Sequence, residues 1–305
     1  MPDLALYTTV YPAVEKFLAD WYRSVRAQTD GDFQVWIGLD LVDAASAQRA
    51  MGGRLDARWV TAAPGESPAQ VRQRALELLC GENDAVVLVD SDDVLLPTRM
   101  ATARRLLGSS DLAGCPLRLV DQAGADLGLT FELPPGMAPD EAFPRNNIFG
   151  LSNSAYSCGL LHRCLPIPAE VELVDWFLAT RAWLFGARMA FGEVPEMEYR
   201  QHAANMVRVA PPFDSRQVAN DSRRVLHHFR LVAASDPAGA APDRLAALRR
   251  AAVDVELFYE RVALDPPLLE RYVGALNTAV IHPLWWSSVA NQSLRDMWAS
   301  TEECV

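Results

Sequence analysis

Residues 85–93 read Ala85-Val86-Val87-Leu88-Val89-Asp90-Ser91-Asp92-Asp93, and this stretch decides the fold. Five apolar residues with turn formers on both sides predict a strand buried on both faces of a parallel sheet. Upstream, Leu4–Val10 reads as a strand, residues 13–27 as an amphipathic helix, Phe33–Leu39 as a strand ending at Asp40, and residues 57–61 as a third strand. Ser67-Pro68 is a cap and first-turn pair that opens a helix running to Leu79 and carrying Arg72 and Arg74. Strands and helices alternating at this length imply a doubly wound, mostly parallel α/β sheet whose ligands sit beyond the carboxyl ends of its strands. Asp40 and the Asp90 cluster both occupy such ends.

Residues 117–165 are poor in helical period and rich in Pro, Gly and Asn, which predicts strands and long loops around an acceptor cleft. Beyond Pro211-Pro212 the pattern turns helical, over residues 214–234, 242–264 and 267–278. The expected organisation is a catalytic domain over residues 1–210, with a nucleotide-binding half (1–116) and an acceptor half (117–210), followed by a helical appendage over 211–305.

Composition narrows the function. Half of the 305 residues are hydrophobic, enough for one large core and an appendage. A formal net charge of -11 argues against nucleic acid as a partner, because a broad face cannot then neutralise phosphates, yet a small basic pocket for one diphosphate remains compatible. Five scattered cysteines lack the close pairs of a zinc site or disulfide framework, which fits a reducing compartment. No basic stretch leads an apolar signal segment and no run approaches a membrane span, so a cytoplasmic protein, at most peripheral to a membrane, is expected.

A bare Asp-x-Asp arises about once by chance in a chain of this length. Asp30-Gly31-Asp32 lies in a polar turn and reads as such a coincidence, whereas Asp90-Ser91-Asp92-Asp93 ends the most apolar strand. Three carboxylates within four residues repel one another, and a cation or a set of donors must compensate. All-oxygen ligands of this kind select a hard ion, Mg2+ or Mn2+, completed by phosphate oxygens and water. The alternative is a solvated turn whose acids cap the helix begun near Pro97.

Val86 through Asp93, followed by Leu95-Leu96-Pro97, resembles the strand and metal motif of family 2 glycosyltransferases, which have the GT-A fold. Two later segments agree in order and spacing. Glu172-Leu173-Val174-Asp175-Trp176-Phe177-Leu178-Ala179-Thr180-Arg181 resembles the family's acidic-aromatic helix, and Tyr199-Arg200-Gln201-His202 with Asn205 resembles its closing tyrosine-arginine-x-histidine segment. The resemblance implies that Asp92 is the direct metal ligand, that Asp90 lies nearer the ribose or a metal-bound water, and that Asp93 is a secondary candidate. It implies further that Asp40 receives the nucleobase and Arg72 lies near the nucleotide, in Val71-Arg72-Gln73 where the family often has alanine-arginine-asparagine. Thr8 and Thr9 would contact the nucleotide, although Thr8-Thr9-Val10-Tyr11 departs from the family's proline-x-tyrosine-asparagine turn. Asp175 resembles the catalytic base, preceded by Val174 where the family usually has glutamate, with Glu172 as the fallback. His202 would complete the metal shell or, with Arg200, hold the diphosphate.

The implied reaction is metal-dependent, inverting transfer of a sugar from a nucleotide diphosphate to a hydroxyl of a glycan, a lipid-linked or a small-molecule acceptor. A nucleotidyltransferase would need a glycine-rich phosphate loop after the first strand, and residues 8–13 contain no glycine. A non-catalytic nucleotide-sugar or glycan-binding protein of the same fold is the remaining alternative. Trp285 and Trp286 leave three readings of the appendage: packing within the chain, a homodimer contact, or a membrane interface. The last is disfavoured, because residues 278–305 offer only Arg295 against Asp296, Glu302 and Glu303.

Overall fold

The computed structural model describes residues 3–202, 205, 207–209, 211–235 and 239–299. They form two compact units. The first comprises Met1–Glu132, Phe149–Ala182 and Ala187–Ala204, and the second Leu133–Ile148, Trp183–Gly186 and Asn205–Val305.

In the first unit, parallel strands β1 (Leu4–Val10), β2 (Phe33–Leu39), β3 (Arg58–Thr61) and β4 (Ala85–Leu88) alternate with helices α1 (Leu18–Arg26), α2 (Ala44–Met51) and α3 (Pro68–Cys80). Strand β5 (Val94–Leu95) and helix α4 (Arg99–Leu107) follow. Next come β6 (Leu112–Gly114), β7 (Leu117–Val120), β8 (Asp126–Phe131), β9 (Ser154–Ser157), α5 (Cys158–Cys164) and α6 (Val174–Leu184). Strands β10 (Met189–Phe191) and β11 (Met197–Arg200) close the sheets.

The main sheet has the order β10-β6-β9-β4-β1-β2-β3. Only β9 runs antiparallel to its neighbours, β4 and β6, so the sheet is mostly parallel, as its apolar strands predict. A smaller sheet, β5-β11-β7-β8, stands beside it in the same unit. All four residues of β4 are buried, and enclosing each of Val86, Val87 and Leu88 is worth roughly 1.5–3 kcal/mol. Gly38 of β2 is dictated by its neighbour, since a Cβ there would stand 2.6 Å from Tyr7 Oη. Helix α3 begins with a capping box in which Ser67 Oγ accepts from Gln70 N and Gln70 Oε1 accepts from Ser67 N, worth about 1 kcal/mol.

Two local expectations change. The helix foreseen over residues 13–27 is a 3-10 turn, Pro12–Phe17, running into α1, with Pro12 in its first turn. The stretch foreseen as strands and loops also holds α5, a seven-residue helix capped by Ser157 and too short to display a helical period.

In the second unit α7 (Ser215–Ala234), α8 (Pro242–Phe258) and α9 (Pro266–Thr278) enclose an aromatic core in which Phe258 packs edge-on to Tyr272 and Trp298. Trp285 and Trp286 are buried, and the Trp285 backbone bridges Asn147. No helix among the described residues is long and apolar enough to cross a membrane.

Candidate active site

Where β4 ends, the chain turns so that Asp90, Asp92 and Asp93 each bring a carboxylate oxygen within 4.8 Å of the others. Ser91 points the other way, its Oγ donating to the Thr9 carbonyl at 2.8 Å and locking the turn to the end of β1. The coincidental motif serves a different purpose: Asp30 Oδ2 accepts from Arg104 Nε at 2.7 Å in a buried ion pair.

The three acids occupy different environments. Asp93 is enclosed, and its Oδ1 accepts from the Arg200 amide at 2.7 Å. The Ser152 hydroxyl lies between Asp93 Oδ2 and Asp90 Oδ2, 3.1 Å from the latter, and its single proton can serve only one carboxylate at a time. Asp92 faces His202, whose Nε2 stands 2.9 Å from Asp92 Oδ2 with the imidazole N–H donating. Burial first, and then the Asp92 charge, push the Asp90 carboxyl up to about 7, against the pull of Arg72 and with a further push from Asp175. Burial, followed by Asp92 and Asp90, likewise raises Asp93 well above the ordinary carboxylate range. Both shifts work against ionisation: burial withdraws water from the carboxylates, and the neighbouring acids add their repulsion.

The other residues picked out in the sequence fall in different places. Arg72, half-buried on α3, is close enough to lower Asp90, and it makes no hydrogen bond or ion pair among the described residues. Asp175, in the first turn of α6, is half-buried and adds a fourth acidic group within electrostatic reach of Asp90. Asp40 lies at the end of β2, its amide donating to the Val10 carbonyl at 2.9 Å, and it stands apart from the trio. Thr8 and Thr9 are buried within β1, Thr9 Oγ1 sharing a hydrogen bond with Tyr7 Oη at 3.2 Å. Arg200 is inside the protein, with its guanidinium directed at backbone and side-chain acceptors. Glu172 is exposed, and Asn205 belongs to the second unit.

Sequence reasoning missed two members. Ser152 comes from a loop far along the chain, and nothing in its neighbours marks it. Tyr11 is half-buried beside the cluster, where burial and the Asp92 and Asp90 charges push its phenol upward. It stands where the residue pattern of the first strand departs from the family, which was the one available signal.

The donor set suits a divalent cation. Hard carboxylate oxygens crowded to this degree, with an imidazole across from Asp92, match the ligands taken by Mn2+ or Mg2+.

No protein-family model and no curated protein matches the chain. Solved structures do. Residues 1–349 of TarS from S. aureus in complex with UDP-GlcNAc superimpose with a TM-score of 0.58 at 15% identity, covering 84% of this chain and 72% of that one. The mannosyltransferase PcManGT from Pyrobaculum calidifontis, in complex with GDP-Man and Mn2+, gives a TM-score of 0.58 at 16% identity over 92% of this chain and 76% of its own. Another structure of S. aureus TarS is matched with a TM-score of 0.57 at 15% identity over 89% of this chain and 47% of that one. The chain has the GT-A fold that these glycosyltransferases share.

Proposed function

We propose that the protein is an inverting, metal-dependent glycosyltransferase that moves a sugar from a nucleotide diphosphate to an acceptor hydroxyl. One observation carries this reading: three crowded carboxylates at the carboxyl edge of the sheet, with His202 facing Asp92 and Arg72 within electrostatic reach of Asp90. Fold likeness to proteins solved with UDP-GlcNAc and with GDP-Man and Mn2+ supports it.

Asp92 and His202 would hold Mn2+ or Mg2+, with Asp90 beside them toward the ribose or a metal-bound water. When bound, the cation supplies positive charge against the departing diphosphate. Arg72 faces the same charge from the α3 side and stabilises it more as the glycosidic bond breaks than before. Asp40 receives the nucleobase. Thr8 and Thr9 back the strand end on which the nucleotide lies. Asp175 takes the proton of the acceptor hydroxyl, and that oxygen attacks the anomeric carbon opposite the diphosphate, inverting its configuration. We place the protein in the cytoplasm, where nucleotide sugars are available.

The test is a thermal-shift panel of UDP- and GDP-sugars with and without Mn2+, followed by acceptor screening with the donor that stabilises most. A panel in which no nucleotide sugar raises the melting temperature would overturn the assignment. Stabilisation without transfer to any acceptor would favour the non-catalytic binder.

A further inference from the structure

We infer that Arg200 is a positioning residue that fixes the geometry of Asp92 and His202, and that it does not contact the diphosphate; this rests on the reading of the acidic turn as a metal site. Residues that grip phosphate present free N–H groups to solvent, in a plane that matches the phosphate oxygens. Arg200 does the reverse. Its side chain is 3% exposed, and each of its three guanidinium nitrogens donates into the protein. Nε reaches the Asp92 carbonyl at 2.8 Å, Nη1 the Gln122 carbonyl at 3.0 Å, and Nη2 Asp20 Oδ2 at 3.1 Å. The Arg200 amide donates to Asp93 Oδ1 at 2.7 Å.

One residue thus grips both Asp92 and Asp93 and bolts β11 to the acidic turn. His202 lies two residues beyond Arg200 on the same segment, so wherever Arg200 fixes that segment, His202 follows. A second contact reinforces the link. Phe17 packs against the Arg200 guanidinium at 4.8 Å and stacks on the His202 ring at 5.1 Å, an arrangement that orients the imidazole through the same clamp. The 2.9 Å approach of His202 to Asp92 is therefore a consequence of the bolt. Metal ligands are set by such outer partners, whose loss commonly costs ten- to a hundredfold in metal affinity.

Arg200→Lys keeps the charge and cannot reach three acceptors at once. The expected result is a Mn2+ dissociation constant raised about tenfold or more, read by electron paramagnetic resonance without nucleotide, with UDP affinity at saturating Mn2+ within about threefold of wild type. UDP affinity falling tenfold while Mn2+ affinity holds would put Arg200 on the diphosphate and overturn the inference. A crystal structure of the metal-free variant gives a readout independent of metal. The His202–Asp92 contact should open beyond hydrogen-bond distance, and an intact contact would refute the clamp even if wild-type protein bound no Mn2+, the outcome that would end the metal reading. Should Arg200→Lys fail to fold, Asp20→Ala removes only the outermost acceptor. It is expected to weaken Mn2+ two- to fivefold and leave UDP affinity at saturating Mn2+ unchanged, and an unaltered Mn2+ affinity would count against the clamp.

Discussion

Replacing Asp90 by Asn should stabilise the metal-free protein and destroy its response to metal. The Asp90 carboxyl is raised from 3.8 to about 7, chiefly by burial and then by the Asp92 charge. A group whose pKa is raised by folding favours the fold while protonated, so its contribution is full below about pH 4 and is lost as pH rises through about 7. The difference of about three units corresponds to roughly 4 kcal/mol withheld from the wild type at pH 8. The amide of Asn carries no charge to lose, and it keeps an oxygen for the Ser152 hydroxyl. In EDTA at pH 8 the variant should therefore melt higher by up to about 4 kcal/mol, roughly 2–4 °C for each kcal/mol in a unit of this size, with the gap shrinking toward pH 4. Adding Mn2+ at about a hundred times its dissociation constant should return about 2.7 kcal/mol to the wild type and much less to the variant. Differential scanning fluorimetry across pH 4 to 8.5, with and without Mn2+, reads all of this. A variant that is less stable than wild type in EDTA at pH 8, or a difference that ignores pH, would refute the reasoning.

Asp175→Asn should bind donor normally and release nucleotide at least about a hundredfold more slowly in the presence of acceptor; near-normal turnover would move the base to Glu172 or to the 146–154 loop. UDP should bind at least tenfold more weakly in EDTA than with Mn2+, and equal affinity by calorimetry would end the metal reading. In the second unit, burial drives the His228 imidazole down to about 3 from its ordinary 6.5. The stability of the neutral ring is present above pH 6.5 and is lost as pH falls toward 3, about 2 kcal/mol by pH 5, so His228→Gln should flatten the urea-unfolding profile between pH 7 and 5. Trp285→Ala together with Trp286→Ala should cost at least about 3 kcal/mol without altering the sedimentation coefficient of folded wild-type protein into that of a smaller species; a dimer that dissociates into folded monomers would reassign both side chains to an interface.

Much of the first unit was legible because its signals are local. The run 85–89 ends in acids only where a strand delivers them to a sheet edge, and the Ser67-Pro68 pair announces α3 by its own cap. What the sequence concealed acts across long separations. Ser152, which it did not mark, reaches Asp90 from 62 positions away, and Arg200, which it did mark, finds its partner Asp92 108 positions away. Neither spacing carries a period, and an arginine beside a histidine reads equally well as a phosphate ligand or a buried bolt. Only burial separates the two. Similarly, the sequence leaves a tryptophan pair between helices open to core or interface, and the structure buries both side chains within the chain.

The charge arrangement also bears on the order in which ligands enter. Asp90, Asp92 and Asp93 stand within electrostatic reach of one another and Asp175 within reach of Asp90, while Arg72 is the cation near Asp90 without a hydrogen-bonded partner in the described residues. At an effective dielectric near 20, two unit charges about 5 Å apart interact by roughly 3 kcal/mol. A diphosphate approaching this edge meets several such repulsions and one comparable attraction, so in the absence of a cation the sum opposes binding. The raised Asp90 and Asp93 carboxyls ionise less readily, which removes part of the repulsion, but a protonated acid offers the phosphates no positive charge. Asp92 and His202 would hold a divalent ion here, and its charge is what the phosphates would meet. Cation and nucleotide diphosphate should therefore bind with strong mutual enhancement, and by linkage each should raise the affinity of the other by the same factor.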